Sequence, residues 1–196
     1  MLIFCADSSG AFFTYALAAE DSGKRVLLGA GSYPARGRVN EIFFPAVERF
    51  FKENRLTVCD IDRWVVITGP GSFTGIRIGM AGLSGICAAL GKKLSGISAL
   101  DAAALISGKT ILTVAAKLKL DEYVLRTYNF ISSVYSVLSV VTSDGLPEDA
   151  FMADSAMNLA ESAADIRSEI FIQEASPLYV KCSEAEINFD KKSRYK

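Results

Sequence analysis

Residues 63 to 90 constrain the fold more than any other stretch. Arg63-Trp64-Val65-Val66-Ile67-Thr68 is an apolar run of strand length, suited to burial on both faces. It passes through a glycine-rich loop, Gly69 to Gly75, into a helical pattern that extends to about Leu90. With its neighbours it gives the order β-β-β-α-β-α-β-α, which suggests a mixed sheet flanked by helices, the α/β class.

The flanking pattern extends this reading. Leu2 to Asp7, Phe12 to Ala19 and Arg25 to Tyr33 read as an antiparallel meander, turned by Ser8-Ser9-Gly10 and Asp21-Ser22-Gly23. Asn40 to Arg55 has helical periodicity, Leu56 to Asp62 connects, Lys93 to Ile97 makes a further strand and Leu100 to Ile106 a short helix. Beyond residue 106 the pattern changes. Thr110 to Ala116, Glu122 to Phe130 and Ser133 to Val141 are strand-like, and Ser155 to Ile166 is amphipathic, with Asp154 or Ser155 as its N-cap. The expected organisation is an N-terminal lobe over 1–106, a smaller α/β lobe over 107–183, and a polar tail over 184–196.

Composition narrows the chemistry. The 196 residues include 22 acidic and 21 basic side chains, a net charge of -1, so no overall field draws the surface to nucleic acid or an anionic membrane. No apolar run reaches the length of a spanning helix and the start lacks a leader pattern, which gives a cytoplasmic expectation. Cys5, Cys59, Cys87 and Cys182 are widely spaced among apolar neighbours and read as buried thiols. Most informative is the absence of histidine. The usual neutral-pH general base, the Ser-His and Cys-His pairs and most zinc sites draw on imidazole. What remains is carboxylate chemistry, phosphate handling by backbone amides, or no chemistry.

Two helix faces stand out. Gly75, Gly79, Gly82 and Gly85 fall within an arc of roughly 120°, opposite Ile76, Met80, Leu83, Cys87 and Leu90. Each interior glycine costs about 1 kcal/mol relative to alanine, so the stripe implies close backbone approach, either by the chain's own sheet and neighbouring helix or by a partner. On the other helix, Ile42, Phe43, Phe44, Ala46, Val47, Phe50 and Phe51 span roughly 200°, more than one docked face requires. The surplus points to a helix-to-helix protein interface, with Ile42, Phe43, Val47, Phe50, Phe51, Arg77, Gly79, Met80 and Gly82 as its candidates.

The loop itself is a candidate anion site, because free amides and a helix N-terminus favour negative charge. Its residues would be Gly69, Gly71, Ser72, Thr74 and Gly75, with Asp7 at the neighbouring strand end and Arg77 on the first helical turn. It has neither the Walker spacing nor the GxGxxG spacing. The competing reading is a tight turn in which Ser72 or Thr74 caps the helix and Asp7 makes an Asx hydrogen bond.

Four segments resemble the TsaB (YeaZ) family. They are Leu2-Ile3-Phe4-Cys5-Ala6-Asp7-Ser8-Ser9, Arg63 to Thr68 followed by the run Gly-Pro-Gly-Ser-Phe-Thr-Gly-Ile-Arg-Ile-Gly over 69–79, Gly91 to Ala103, and Pro177-Leu178-Tyr179-Val180-Lys181. The resemblance implies an actin-like ATPase (ASKHA) fold of two related lobes, each a mixed sheet flanked by helices. It also implies a non-catalytic subunit that works with a TsaD-like paralogue and a TsaE-like ATPase to place a threonylcarbamoyl group on adenosine 37 of tRNA. ATP would then be used by the complex, with no cofactor and no metal in this subunit, and tRNA would be met only through the complex. The sequence departs from the family at Val39-Asn40-Glu41-Ile42-Phe43-Phe44-Pro45, where only Glu41 and Pro45 match, and at Ala115 to Lys119, with Glu122-Tyr123 as a remnant. Two alternatives stand beside this reading: a nucleotide-binding enzyme using Asp7 and the 69–75 loop, and a homodimer with another client.

Overall fold

The computed structural model describes residues 1–180 apart from 36, 119–120 and 154–156, and at 163 and 166 the backbone alone. The expected tail over 184–196, together with Lys181, Cys182, Asp154 and Ser155, lies outside the described residues.

Two mixed sheets carry the fold. The first contains β1 (Leu2–Asp7), β2 (Phe12–Asp21), β3 (Lys24–Pro34), β4 (Arg63–Ile67) and β5 (Leu94–Ile97). β1 lies at its centre, antiparallel to β2 and parallel to β4, so Cys5 stands between Ala16 and Val65. The parallel β1–β4 and β4–β5 pairs each need a crossover, and the helices α1 (Val39–Glu53) and α2 (Phe73–Ala89) supply them. The period-2 alternation of β1 then feeds two cores. Ile3 and Cys5 face α3 (Ala99–Ile106), while Phe4 and Ala6 face α1 and α2.

The core under α1 corrects an expectation. Phe43, Val47, Phe50 and Phe51 are all buried by the chain itself, and of the four phenylalanines only Phe44 stays out, 57% exposed. The sheet beneath is unusually aromatic. Phe50 packs 4.7 Å from Tyr15, Phe51 5.4 Å from Phe4, and Phe43 5.0 Å from Phe13, between ring centroids. Glycines let these rings sink in: a Cβ at Gly29 would lie 3.4 Å from the Phe50 ring, and one at Gly82 only 2.6 Å from that of Phe43. The wide apolar arc is therefore filled by the sheet's rings and by the gaps its glycines leave.

The second sheet is built on the hairpin of β6 (Ile111–Lys117) and β7 (Glu122–Asn129). The strand expected over Ser133 to Val141 is two pieces, β8 (Val134–Tyr135) and β9 (Ser139–Thr142), both paired to β7. Between them the Ser136 side chain, not a backbone carbonyl, accepts from the Thr127 amide at 2.9 Å. β10 (Phe151–Met152) runs parallel to β6.

After β10 the chain leaves this sheet. In place of the expected amphipathic α-helix it forms two 3₁₀ segments, Leu159–Ala164 and Ile166–Ile170. Asp165 ends the first and caps the second by accepting from the Arg167 amide at 2.8 Å. The first segment packs across β1 and β2, and β11 (Gln173–Glu174) closes the far edge of the first sheet against β5.

Candidate functional site

The turn after β1 and the loop after β4 are fastened together. Ser9 donates its amide to Asp7 Oδ1 at 2.7 Å, which is the Asx turn. Ser8 Oγ donates to the Gly75 carbonyl at 2.7 Å, and the Ser72 amide donates to the Ser9 carbonyl at 2.6 Å. Ser72, and not Thr74, caps α2 by accepting from the Gly75 amide at 3.1 Å. Gly69 holds a φ of +101°, a value that favours glycine.

Two glycines of the stripe, Gly75 and Gly79, serve this junction, as does Gly71 in the loop. A Cβ at Gly71 would strike Ser9, and at Gly75 or Gly79 it would strike Ser8, as one at Gly82 would strike Phe43. Four close approaches are thus internal. Gly85 differs, since a side chain there would meet nothing within 4 Å.

The fastened loops form one wall of a cleft of about 550 Å³ between the sheets. Asp7, Ser9 and residues 70–73 line it from the first sheet, and Ala116, Lys117 and Leu118 from the second. Burial pushes the Asp7 carboxyl up to about 6, against the lowering effect of its Ser9 hydrogen bonds. Arg77 is committed elsewhere. Its guanidinium lies 3.8 Å from the Phe73 ring centroid and its Nε donates to the Tyr179 hydroxyl at 3.0 Å. Tyr179 belongs to the strap that follows β11, held to the loop by the Leu178 amide donating to the Thr68 carbonyl at 2.8 Å.

Of the candidate interface residues, Phe43, Val47, Phe50, Phe51 and Gly79 are buried in the chain's own core. Ile42, Met80 and Gly82 are half-buried and Arg77 is exposed. The surface these helices do present is different: Phe44 on α1, and Ala81, Gly85 and Ala88 on α2. Cys5 and Cys87 are buried and their thiols are pushed up by that burial. Cys59 is exposed, contrary to expectation, because it sits on the 3₁₀ turn Val58–Asp60, whose inward contacts are made by Val58 and Ile61.

One cluster is not anticipated from the sequence, although the Ser98-x-x-Asp101 spacing of a helix cap marks its local half. Asp101, buried on α3, accepts from Arg126 Nη1 at 2.8 Å, from the Tyr128 hydroxyl at 2.7 Å and from Ser98 Oγ at 2.5 Å. It pins the connecting helix to β7. Burial, then Asp101, pushes the Tyr128 hydroxyl far above its ordinary range.

With this geometry in view, two solved structures of Pseudomonas aeruginosa are informative. YeaZ superimposes with a TM-score of 0.72 at 17% identity, covering 91% of this chain and 99% of its own. A second, described as an uncharacterized protein with similarity to peptidase YEAZ, gives 0.71 at 17% identity, covering 92% and 99%. The chain has the YeaZ fold. Within it, residues 35–117, which run from α1 through the 69–75 loop to the end of β6, match the family model "TsaD: tRNA N6-adenosine threonylcarbamoyltransferase". Uncharacterized proteins of Mycobacterium bovis and Mycobacterium tuberculosis are each 38% identical over 89 residues, which is 45% of this chain. The match spans only 38% of the length of those relatives. Among the described residues no helix is long and apolar enough to cross a membrane.

Proposed function

We propose that this YeaZ-like chain is a TsaB-type subunit, a non-catalytic partner that a TsaD-like protein requires, with a TsaE-like ATPase, for threonylcarbamoylation of tRNA adenosine 37 in the cytoplasm. The observation that carries the reading is how the signature run over 69–79 is used. The Ser72 amide goes to the Ser9 carbonyl, the Gly75 amide goes to Ser72 Oγ, and Ser8 and Ser9 fill the space beside Gly71, Gly75 and Gly79, so these parts of the motif serve packing of the turn after β1. The lack of histidine points the same way, since a paired-imidazole metal site has no ligands in this sequence. ATP and tRNA would then be handled by the complex, and this subunit needs no cofactor of its own.

The docking face that fits this reading is the outer surface of α1 and α2, around Phe44 and the small residues Ala81, Gly85 and Ala88. Gly85→Leu is the direct test, because its side chain enters open space in the monomer. We expect an unchanged circular dichroism spectrum and association with a TsaD-like partner weakened by about 100-fold, because the added side chain holds apart two surfaces that would meet there; that factor corresponds to about 2.7 kcal/mol. Wild-type affinity for both Gly85→Leu and Phe44→Asp would remove this face from the assembly. The cleft beside Asp7 favours a second reading, a nucleotide-binding enzyme. ATP turnover by the isolated chain that Asp7→Ala abolishes would promote it.

A further inference from the structure

β3 is the last strand of the first sheet, so one side of its backbone faces outward over 11 residues, a length of about 36 Å. Natural edge strands are blunted by charge, proline or a covering element. Here Lys24 and Pro34 stand only at the two ends, and the middle reads Val26-Leu27-Leu28-Gly29-Ala30-Gly31. Val26 is 60% exposed, Leu27 39% and Leu28 53%. The bulge opposite Leu17 and Ala18 leaves Leu28 as the extra residue and adds twist, but does not cover the edge.

The stretch is complementary to its own reverse. Its first half is bulky and its second half is glycine and alanine. A reversed copy centred on Gly29 sets Leu27 against Gly31 and Leu28 against Ala30, while Lys24 meets the uncharged Pro34. A copy in the same direction would stack leucine on leucine and set Lys24 directly against Lys24, a destabilising pair. We propose that β3 pairs antiparallel with β3 of a second copy of this chain, joining two six-stranded sheets edge to edge about a two-fold axis near Gly29. Such an isologous contact closes on itself. A single edge-to-edge ladder of this length falls in the small interface class, below about 1,200 Å², where weak association is the rule; the proposal is for a dimer with a dissociation constant of about 10 μM or tighter.

This dimer uses the sheet edge and is independent of the α1–α2 face proposed above. The test is sedimentation equilibrium of the full chain over a concentration series. Leu28→Lys and Leu28→Glu each place a charge near the axis, at an exposed position, and should raise the dissociation constant at least about tenfold. Mixing the two should restore dimers, because the opposite charges then lie within diagonal reach across the pair. Ala30→Lys and Ala30→Glu repeat the test if a Leu28 variant fails to fold. Gly85→Leu should dimerise as the wild type does. A chain that stays monomeric to about 100 μM, well above the range of a micromolar pair, overturns the proposal. So does a dimer that neither Leu28 nor Ala30 charges weaken, or one that Gly85→Leu abolishes.

Discussion

The two sheets differ in how fully they are covered. The first is sandwiched through β1, β2 and β4, with α1 and α2 on one face, α3 and the Leu159–Ala164 segment on the other, and aromatic rings filling the gaps, while its edge strand β3 is largely exposed. The second packs one side inward through Val114, Val124 and Tyr128, and leaves Ile131, Val134, Val137 and Val140 in solvent, Val137 at 86% exposure. A sheet buried on both faces draws its order from apolar area, at about 25 cal/mol per Å². A sheet covered on one side depends more on specific polar ties. That contrast makes the first sheet the rigid platform and the second the part whose order rests on the Asp101 cluster.

The largest effect that could break this comparison is Phe50→Asp. On an exposed interface helix it would be nearly silent. In the aromatic core it removes a buried ring and adds an unpaired buried charge, so we expect a loss of at least about 4 kcal/mol. That is a large fraction of a typical domain's stability of about 5–15 kcal/mol. Urea unfolding would read it directly, with Phe44→Asp as the exposed control that changes stability little.

Asp101→Ala sharpens the comparison from the other side. It leaves the buried Tyr128 hydroxyl without its acceptor and Arg126 without its carboxylate, at a cost of about 3 kcal/mol. The loss should be local. Hydrogen exchange is expected to show β6 and β7 losing protection before β1 and β4. Uniform loss across both sheets would mean that the cluster supports the whole fold and the contrast between the sheets is only geometric.

What was legible in the sequence follows the same division. β1 and β4 were readable because burial on both faces demands a continuous apolar run, and the 69–75 turn because glycine, proline and serine punctuate it. The fate of α1 was not. Whether Phe43 and Phe50 are surplus depends on rings at Phe13 and Tyr15 and on gaps at Gly29 and Gly82, all contributed by elements distant in sequence. Ser155 to Ile166 has amphipathic spacing, yet the Asn158 side chain donates its Nδ2 to the Tyr15 and Gly31 carbonyls, tying the segment to the sheet, and Asp165 starts a new turn, so two 3₁₀ segments form in place of a continuous helix. Asp101 and Arg126 lie 25 residues apart on a helix and a strand, with no periodicity that joins them.

The smallest effect separates two glycines of one helix stripe. Gly82 and Gly85 lie three residues apart on α2 with the same intrinsic cost in a helix, about 1 kcal/mol each relative to alanine. Their surroundings have opposite sign. A methyl group at Gly82 would sit 2.6 Å from the Phe43 ring, and that ring is locked among Phe13 and its neighbours, so Gly82→Ala must displace packed core. A methyl group at Gly85 meets nothing within 4 Å. We therefore expect Gly85→Ala to raise stability by about 0.5–1 kcal/mol and Gly82→Ala to lower it by about 1–2 kcal/mol, both read as shifts in the urea midpoint at constant slope. If both raise stability, the α1–α2 contact is looser than its geometry and the first sheet's packing is not the rigid platform described. If Gly85→Ala alone is stabilising, the isolated fold supplies no reason for glycine there. The reason must then lie in whatever approaches α2 from outside.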